Sequence, residues 1–188
     1  LMPWGSDILL EPRRSPWRRW VVNYALRRAD MITCDAETVK QEIVELSNFP
    51  PDRIVTFPWG IDLELFQPSQ KERTRVRHEL GWENNPIIIM TRHMYPYYRC
   101  EDFVQAFSHV IQEIPEARAL LIGDGTLRPQ IEAQARNLGI EPYVRFLGTV
   151  PNAELPAYLN AADIYASTSE SDGTSISLLE AFACGLPA

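Results

Sequence analysis

Short apolar runs alternate with longer amphipathic segments along most of this chain. The alternation is most regular in the second half, where apolar runs of strand length occupy residues 86–91, 119–122, 144–147 and 164–166. The intervals between these runs have helical periodicity, over residues 102–114, 127–138 and 153–161. Continuous apolar runs are typical of parallel strands that are covered on both faces. Because no hairpin sequence separates the runs, the pattern predicts a parallel sheet with helices on both faces.

The first half of the chain is less regular but has the same character. Residues 31–34 and 53–57 are predicted to be short strands, and residues 36–46 a helix that Asp35 caps. A charged helix is predicted over residues 70–80, ending at Gly81. The whole pattern therefore indicates an α/β fold with a Rossmann-like parallel sheet, in which ligands bind at the carboxyl ends of the strands.

The segment with the clearest chemistry lies near the end of the chain, where a strand leads through a polar turn into a helix. Asp172 lies in the turn, and Glu180 follows about one and a half turns into the predicted helix. Between them, Gly173, Thr174 and Ser175 offer backbone N–H groups at the positive end of the helix dipole, where phosphate binds readily. Carboxylates for hydroxyl groups beside amides for phosphate indicate a nucleotide-sugar pocket. The simpler interpretation is an ordinary turn with a solvated Asp172.

Residues 172–187 resemble the motif of retaining glycosyltransferases of family four, in which two acids are separated by seven residues. Here the pair is Asp172 and Glu180, and Asp replaces the more usual Glu at the first position. Four further segments match family motifs in the same order along the chain, namely residues 29–39, 57–62, 122–125 and 146–151. The resemblance extends from about Trp4 to the last residue and implies a two-domain GT-B architecture.

The resemblance also implies domain limits and a function. Residues 1–60 would be the end of an N-terminal, acceptor-side domain with its linker, and residues 61–188 a nucleotide-sugar domain. We expect the chain to be a fragment of a longer protein, inactive by itself because most of the acceptor site is missing. The implied reaction transfers a hexose-type sugar from a nucleoside diphosphate donor to a hydroxyl acceptor with retention of configuration. In the family the first acid, here Asp172, holds hydroxyls of the donor sugar, and the second, Glu180, holds the ribose.

The loop after residues 86–91 departs from the family pattern. Family members usually carry an Arg and a Lys there to neutralise the donor diphosphate, and His93 and Tyr98 occupy those places in this chain. Arg92 and Arg99 are each one residue away, and a guanidinium group can bind phosphate through two hydrogen bonds. We therefore expect Arg92 and Arg99 to bind the diphosphate, with the alternative that Arg99 caps a loop and Arg92 pairs with a surface acid.

Two further loops are candidate parts of the donor site. Gly123 and Gly125 follow a predicted strand and precede a helix, so their backbone could approach a pyrophosphate. By resemblance, backbone contacts to the nucleotide base would lie around Val150. Trp4 stands where family members often have a His that contacts the donor sugar, so no side chain here inherits that role.

The composition narrows the range of partners. The formal net charge is −7 at pH 7, which disfavours nucleic acid as a partner. No apolar run is long enough to span a membrane, and three scattered cysteines are typical of reduced thiols. We therefore expect a cytoplasmic protein without a metal or other cofactor. Its partners would be a nucleotide-sugar donor and a hydroxyl acceptor, which a lipid-linked molecule or a growing glycan could supply.

Residues 13–28 form a basic, aromatic-rich segment within this acidic chain. Trp17, Trp20, Val21 and Tyr24 recur at helical spacing, with arginines beside them. Such a helix could lie on an anionic membrane, giving peripheral contact at its inner face. We favour the alternative that these side chains pack into a protein core, because Trp in an amphipathic helix is more often buried.

Two alternatives to a transferase remain. A GT-B nucleotide-sugar epimerase shares the architecture but would be expected to show catalytic acids and histidines that we do not find. A non-catalytic nucleotide-sugar-binding module is the alternative from a different class. Release of nucleoside diphosphate from a nucleotide sugar in the presence of an acceptor distinguishes a transferase from a binding module.

Overall fold

The computed structural model describes residues 1–170 and 172–188. The described chain divides into two compact units, one of residues 1–60 with residues 172–175, and one of residues 61–170 with residues 176–188. Both units consist of parallel strands and helices, which confirms the predicted α/β class.

The first unit is built around two short parallel strands. Its elements are α1 (Gly5–Leu9), α2 (Glu11–Arg14), α3 (Pro16–Arg27), β1 (Ile32–Cys34), α4 (Glu37–Ser47) and β2 (Ile54–Thr56). Ile32 lies opposite Ile54 in the parallel pair β1–β2. The core beneath them is formed by fully buried side chains of α1, α3, β1 and α4, including Ile8, Leu26, Ile32, Val39 and Ile43.

The second unit contains a four-stranded parallel sheet. Its elements are α5 (Gln70–Leu80), β3 (Ile87–Thr91), α6 (Cys100–Glu113), β4 (Arg118–Ile122), α7 (Arg128–Asn137), β5 (Val144–Gly148), α8 (Leu155–Ala161), β6 (Ile164–Tyr165) and α9 (Ile176–Ala183). The strand order is β5-β4-β3-β6, and every neighbouring pair is parallel. The sheet therefore places β3 and β4 at its centre.

Both faces of this sheet are covered, as the continuous apolar runs predicted. Side chains alternate between the faces, so Met90 and Leu121 pack against α6 and α7, while Ile89 and Leu120 join a second core with α8 and α9. All four of these side chains are 1% exposed or less. The helices in the second half lie within two residues of their predicted limits.

A capping serine and a glycine determine where α5 begins and ends. The Ser69 hydroxyl accepts a hydrogen bond from the backbone N–H of Glu72 (3.3 Å), and Gly81 ends the helix with φ 69°. Arg77 of α5 is buried, and its guanidinium donates to a carboxylate oxygen of Asp163 at 2.6 Å. The same oxygen accepts the backbone N–H of Ile87 (2.8 Å). Asp163 therefore joins α5 to the first residue of β3.

The prediction that Asp35 caps the helix of the first unit is wrong. Asp35 does not cap α4, because the N-cap residue is Ala36 and no side chain caps the helix. The Asp35 carboxylate instead accepts hydrogen bonds from more distant residues. Within this chain Trp17, Trp20 and Tyr24 are 67%, 55% and 47% exposed, and their packing into the core of an N-terminal domain stays a prediction. The segment of residues 13–28 is two helices rather than one, because Ser15 and Pro16 begin α3.

Candidate functional site

The loops that follow the four strands of the larger sheet are joined to one another by hydrogen bonds. The backbone N–H of Met94, after β3, donates to the carbonyl of Asp124, after β4 (3.0 Å). The N–H of Gly123 donates to the carbonyl of Gly148, the last residue of β5 (2.8 Å), and the Thr168 hydroxyl, after β6, donates to the carbonyl of Arg99 (2.7 Å). The carboxyl ends of all four parallel strands therefore form one connected edge, which is where ligands bind in such sheets.

Close backbone packing, in which one loop touches the next, explains both glycines of the loop after β4. A Cβ at Gly123 would lie 2.2 Å from the carbonyl oxygen of Arg92, and Gly123 has φ +134°. A Cβ at Gly125 would lie 2.4 Å from the carbonyl oxygen of Met94. The backbone N–H of Gly125 donates to the carboxylate of its neighbour Asp124 (2.8 Å). The backbone N–H groups of Gly123 and Gly125, which were predicted to face a pyrophosphate, thus both donate to acceptors within the protein in this structure.

Arg92 follows β3 directly and lies in the electrostatic field of Glu180. Burial raises the pKa of the Glu180 carboxyl above its ordinary value, and the positive charge of Arg92 counteracts part of that rise. Glu180 is partly buried on α9, four residues after its first residue. The Arg92 guanidinium also lies over the ring of Tyr98, 5.2 Å from its centroid. The Arg92 guanidinium therefore contacts the tyrosine at the usual lysine place, and its charge acts on the carboxyl of Glu180.

Arg99 is oriented differently. It has φ 51° and precedes α6, and its guanidinium contacts the acids of the first turn, with Asp102 at 2.8 Å and Glu101 at 3.4 Å. The hydrogen bond to Asp102 is the main reason that the pKa of Arg99 is raised. The side chain is 42% exposed. Arg99 thus pairs with acids in the first turn of the helix that it precedes, which was not among the roles considered for it.

The loop after β5 carries Val150, which is partly buried against the core on the α8 and α9 face of the sheet. Beside it, a Cβ at Gly148 would lie 2.7 Å from the guanidinium of Arg128. That guanidinium pairs with Asp124 (2.9 Å) and Glu132 (2.8 Å). Arg128 was not predicted as a site residue, although its spacing of four residues from Asp124 in the preceding loop and from Glu132 on the same helix is a recognisable pairing pattern.

The turn of the acid motif lies in the first compact unit. Asp172 is exposed, whereas Gly173, Thr174 and Ser175 are partly buried. The backbone N–H of Thr174 donates to Asp35 Oδ2 (3.1 Å), so the expectation that this amide is free is wrong in this structure. Asp35 lies 139 residues earlier in the chain, and no local pattern links the two residues.

None of the histidines, cysteines and acids within residues 1–170 and 172–188 group in a way that could hold a metal ion. Cys34, Cys100 and Cys184 are free and buried. Burial raises the pKa of Cys100 and of Cys184 to about 11, so neither thiol is poised as a nucleophile at neutral pH.

Two family models match this chain. Residues 72–188 match glycosyl transferases group 1, and residues 6–65 match glycosyltransferase family 4. The first match covers more than half of the sequence, and the chain therefore belongs to the glycosyl transferases group 1 family. The membership agrees with the resemblance inferred from the acid motif.

The relatives include two bacterial enzymes. The chain is 27% identical over 179 residues to a GDP-mannose-dependent alpha-(1-6)-phosphatidylinositol monomannoside mannosyltransferase of Mycolicibacterium smegmatis, covering 89% of this chain and 46% of the relative. It is 32% identical over 169 residues to N-acetyl-alpha-D-glucosaminyl L-malate synthase of Bacillus anthracis, covering 89% and 42%. The chain therefore spans less than half the length of these relatives.

Solved structures share the fold. Anabaena HepE in complex with UDP-glucose superposes with a TM-score of 0.85 at 23% identity, covering 100% of this chain and 52% of HepE. WaaG, a glycosyltransferase involved in lipopolysaccharide biosynthesis, superposes with a TM-score of 0.80 at 18% identity, covering 93% and 49%. At these identities the likeness establishes the architecture, which is that of GT-B glycosyltransferases.

Proposed function

We propose that this chain forms the donor-binding part of a glycosyltransferase that moves a sugar from a nucleoside diphosphate to a hydroxyl acceptor. The observation that carries the proposal is the connected carboxyl edge of the four-stranded sheet, where Arg92 lies close enough to Glu180 for its positive charge to act on that carboxyl. A partly buried carboxylate suits a pair of ribose hydroxyls, and a nearby guanidinium suits the diphosphate that follows the ribose. Family membership supports the same assignment.

The remaining roles in this proposal rest on the resemblance to the family motifs. Asp172 would accept hydrogen bonds from hydroxyls of the donor sugar, and the turn after it would face sugar or phosphate. Arg92 is the preferred diphosphate ligand, because Arg99 already neutralises Asp102. Stabilising the departing diphosphate by cations and amides requires no nucleophilic side chain. In the loops after β4 and β5, Gly123, Gly125 and Val150 would form the wall near the nucleotide.

Retention of configuration is part of the proposal and rests on the motif of Asp172 and Glu180. Its test is the anomeric configuration of the product, read from the proton coupling constant at the new glycosidic carbon. An inverted product would refute the mechanistic part of the proposal while leaving donor binding intact.

The proposed function is tested first by the binding of nucleotide sugars and then by their turnover with an acceptor. UDP-, GDP- and ADP-sugars are titrated into the protein, and release of nucleoside diphosphate is then measured with candidate acceptors. We expect one nucleotide class to bind in preference and Glu180→Ala to weaken that binding more than Glu180→Gln. An amide keeps part of the hydrogen bonding to ribose that a methyl group loses. Equal binding by wild type and both variants would refute the ribose assignment.

We also propose peripheral membrane contact through α3. Trp17, Trp20 and Tyr24 are stacked along this helix, with ring centroids 5.0 and 5.4 Å apart. The Arg28 guanidinium lies 4.5 Å over the Tyr24 ring, and further arginines occupy α2 and α3. Exposed aromatic rings beside arginines favour the headgroup region of an anionic bilayer. None of the helices in residues 1–170 and 172–188 has the length and hydropathy to cross a bilayer.

Sedimentation with lipid vesicles tests this contact. Vesicles with anionic lipid should bring down the wild-type protein, whereas zwitterionic vesicles should not, and Trp17→Ser with Trp20→Ser should abolish the sedimentation. Leu63→Ser is the matched control, since Leu63 is 68% exposed but lies outside α3. Equal sedimentation of all variants would refute the role of the helix.

A further inference from the structure

The acid motif's turn is attached to Asp35 by backbone and side-chain hydrogen bonds. The N–H of Thr174 donates to Asp35 Oδ2 (3.1 Å), and the Thr174 hydroxyl donates to the backbone carbonyl of Asp35. Trp59 Nε1 donates to the same Oδ2 (3.3 Å), which orients the carboxylate from the other side. Asp35 thus holds both the main chain and the side chain of Thr174.

The turn is closely packed on both sides at Gly173. A Cβ at Gly173 would lie 2.4 Å from Asp35 Oδ2, and a Cβ at Gly5 would lie 2.9 Å from the Gly173 nitrogen. Asp35 is 9% exposed, and among the described residues its Oδ1 has no hydrogen-bond partner. An unsatisfied buried carboxylate oxygen is costly, so its presence calls for a compensating role.

We propose that Asp35 is a positioning residue, which holds the turn at Gly173 and Thr174 in the conformation that the donor site requires. The proposal rests on the proposed function, because that function assigns this turn to the donor sugar and phosphate. Thr174 and Trp59 both donate to Oδ2 of Asp35, and Asp35 would act on the donor only through the turn that it holds. Its effect on the ligand is therefore indirect.

Two substitutions at this position separate positioning from a direct charge effect. In Asp35→Asn, one oxygen can still accept the N–H groups of Thr174 and Trp59, but the charge is lost. In Asp35→Ala, both the acceptor and the charge are lost. If Asp35 acts by positioning, Asp35→Asn should bind the nucleotide sugar nearly as well as wild type, whereas Asp35→Ala should bind it about tenfold more weakly. If the charge itself acts on the ligand, both variants should change alike.

Gly173→Ala provides an independent perturbation of the same contact. The added methyl group would collide with the Asp35 carboxylate, so this variant should lose about as much affinity as Asp35→Ala. In the double variant the collision is relieved, and the losses should not add. Full additivity would overturn the proposal.

Amide hydrogen exchange at Thr174, followed by NMR without ligand, distinguishes this proposal from the proposed function. The Thr174 N–H should be protected in wild type and in Asp35→Asn, and should exchange about tenfold faster or more in Asp35→Ala. Rapid exchange in wild type would overturn positioning, even where nucleotide sugars bind. Failure of wild type to bind any nucleotide sugar, with Thr174 still protected, would overturn the proposed function instead.

Thr174→Val covers the case in which Asp35→Ala does not fold, because it removes only the hydroxyl hydrogen bond. We expect a partial loss of nucleotide-sugar affinity in Thr174→Val and wild-type affinity in Thr174→Ser, which keeps the hydroxyl. Equal affinity of Thr174→Val and wild type would count against the proposal.

Discussion

Replacing Arg92 with Ala is the sharpest test of how this chain binds a diphosphate. Arg92 directly follows the central strand β3, and its charge acts on Glu180. A lost hydrogen bond between a charged donor and a charged acceptor costs roughly 1.5 to 3 kcal/mol, which corresponds to a roughly 10- to 150-fold loss of affinity. We expect a loss in this range for nucleoside diphosphate and almost none for the corresponding nucleoside.

Arg99→Ala is the matched control, since it removes the same side chain seven residues later. Arg99 pairs with Asp102 at 2.8 Å and is 42% exposed, so its guanidinium is already used on α6. We therefore expect this variant to bind nucleoside diphosphate with nearly wild-type affinity. Arg92→Lys keeps the charge without the planar two-donor geometry, and its affinity should fall between wild type and Arg92→Ala.

Isothermal titration of nucleoside and nucleoside diphosphate against the three variants decides the matter. Thermal unfolding monitored in parallel excludes loss of structure as the cause. A loss shared equally by both ligands would indicate damage to the fold rather than to a phosphate contact. A larger loss in Arg99→Ala than in Arg92→Ala would refute the assignment and restore Arg99 as the phosphate ligand.

Three further outcomes are expected. Burial raises the pKa of Glu180 above 4.5, so ionisation of this carboxyl favours the unfolded state. The stability of the folded state is therefore greatest, with respect to this group, below the unfolded pKa, and part of it is lost as pH rises through the folded pKa. The melting temperature of Glu180→Gln relative to wild type should therefore increase with pH above about 4.5, and a difference constant with pH would contradict this. Asp163→Ala should lower the free energy of unfolding by about 2 to 3 kcal/mol in denaturant titrations, because it leaves the buried Arg77 without its carboxylate. This energy is set below that of a fully buried ion pair, since Asp163 is partly exposed. Gly123→Ala should destabilise by about 2 kcal/mol or more through its collision with the Arg92 carbonyl, whereas Gly60→Ala, which meets nothing within 4 Å, should be nearly neutral in the same titration.

Local sequence pattern determined most of the larger unit. The continuous apolar runs predicted β3 to β6 because a parallel strand buried on both faces needs apolar side chains in both directions. Helix α5 was predicted from Gln70 to Leu80, since Gly81 can adopt the left-handed conformation that ends a helix. The acid motif and the order of the loops were likewise sufficient to predict the family.

Contacts between distant residues decided what the pattern left open. The sequence offered Arg92 and Arg99 equally as phosphate ligands. Only the folded chain brings Arg99 to Asp102 and places the Arg92 guanidinium over the ring of Tyr98. The amphipathic pattern of α3 correctly showed an aromatic face but did not determine whether protein covers it, and the rings of Trp17 and Trp20 are exposed.

Asp35 shows the physical reason for this limit most directly. A polar residue just before a helix is locally expected to cap it, because its carboxylate can reach the first backbone N–H groups. In the folded chain the carboxylate accepts the N–H of Thr174 instead, 139 residues away. Such a choice depends on which groups the whole chain brings within hydrogen-bonding distance, and that information lies in the tertiary structure alone.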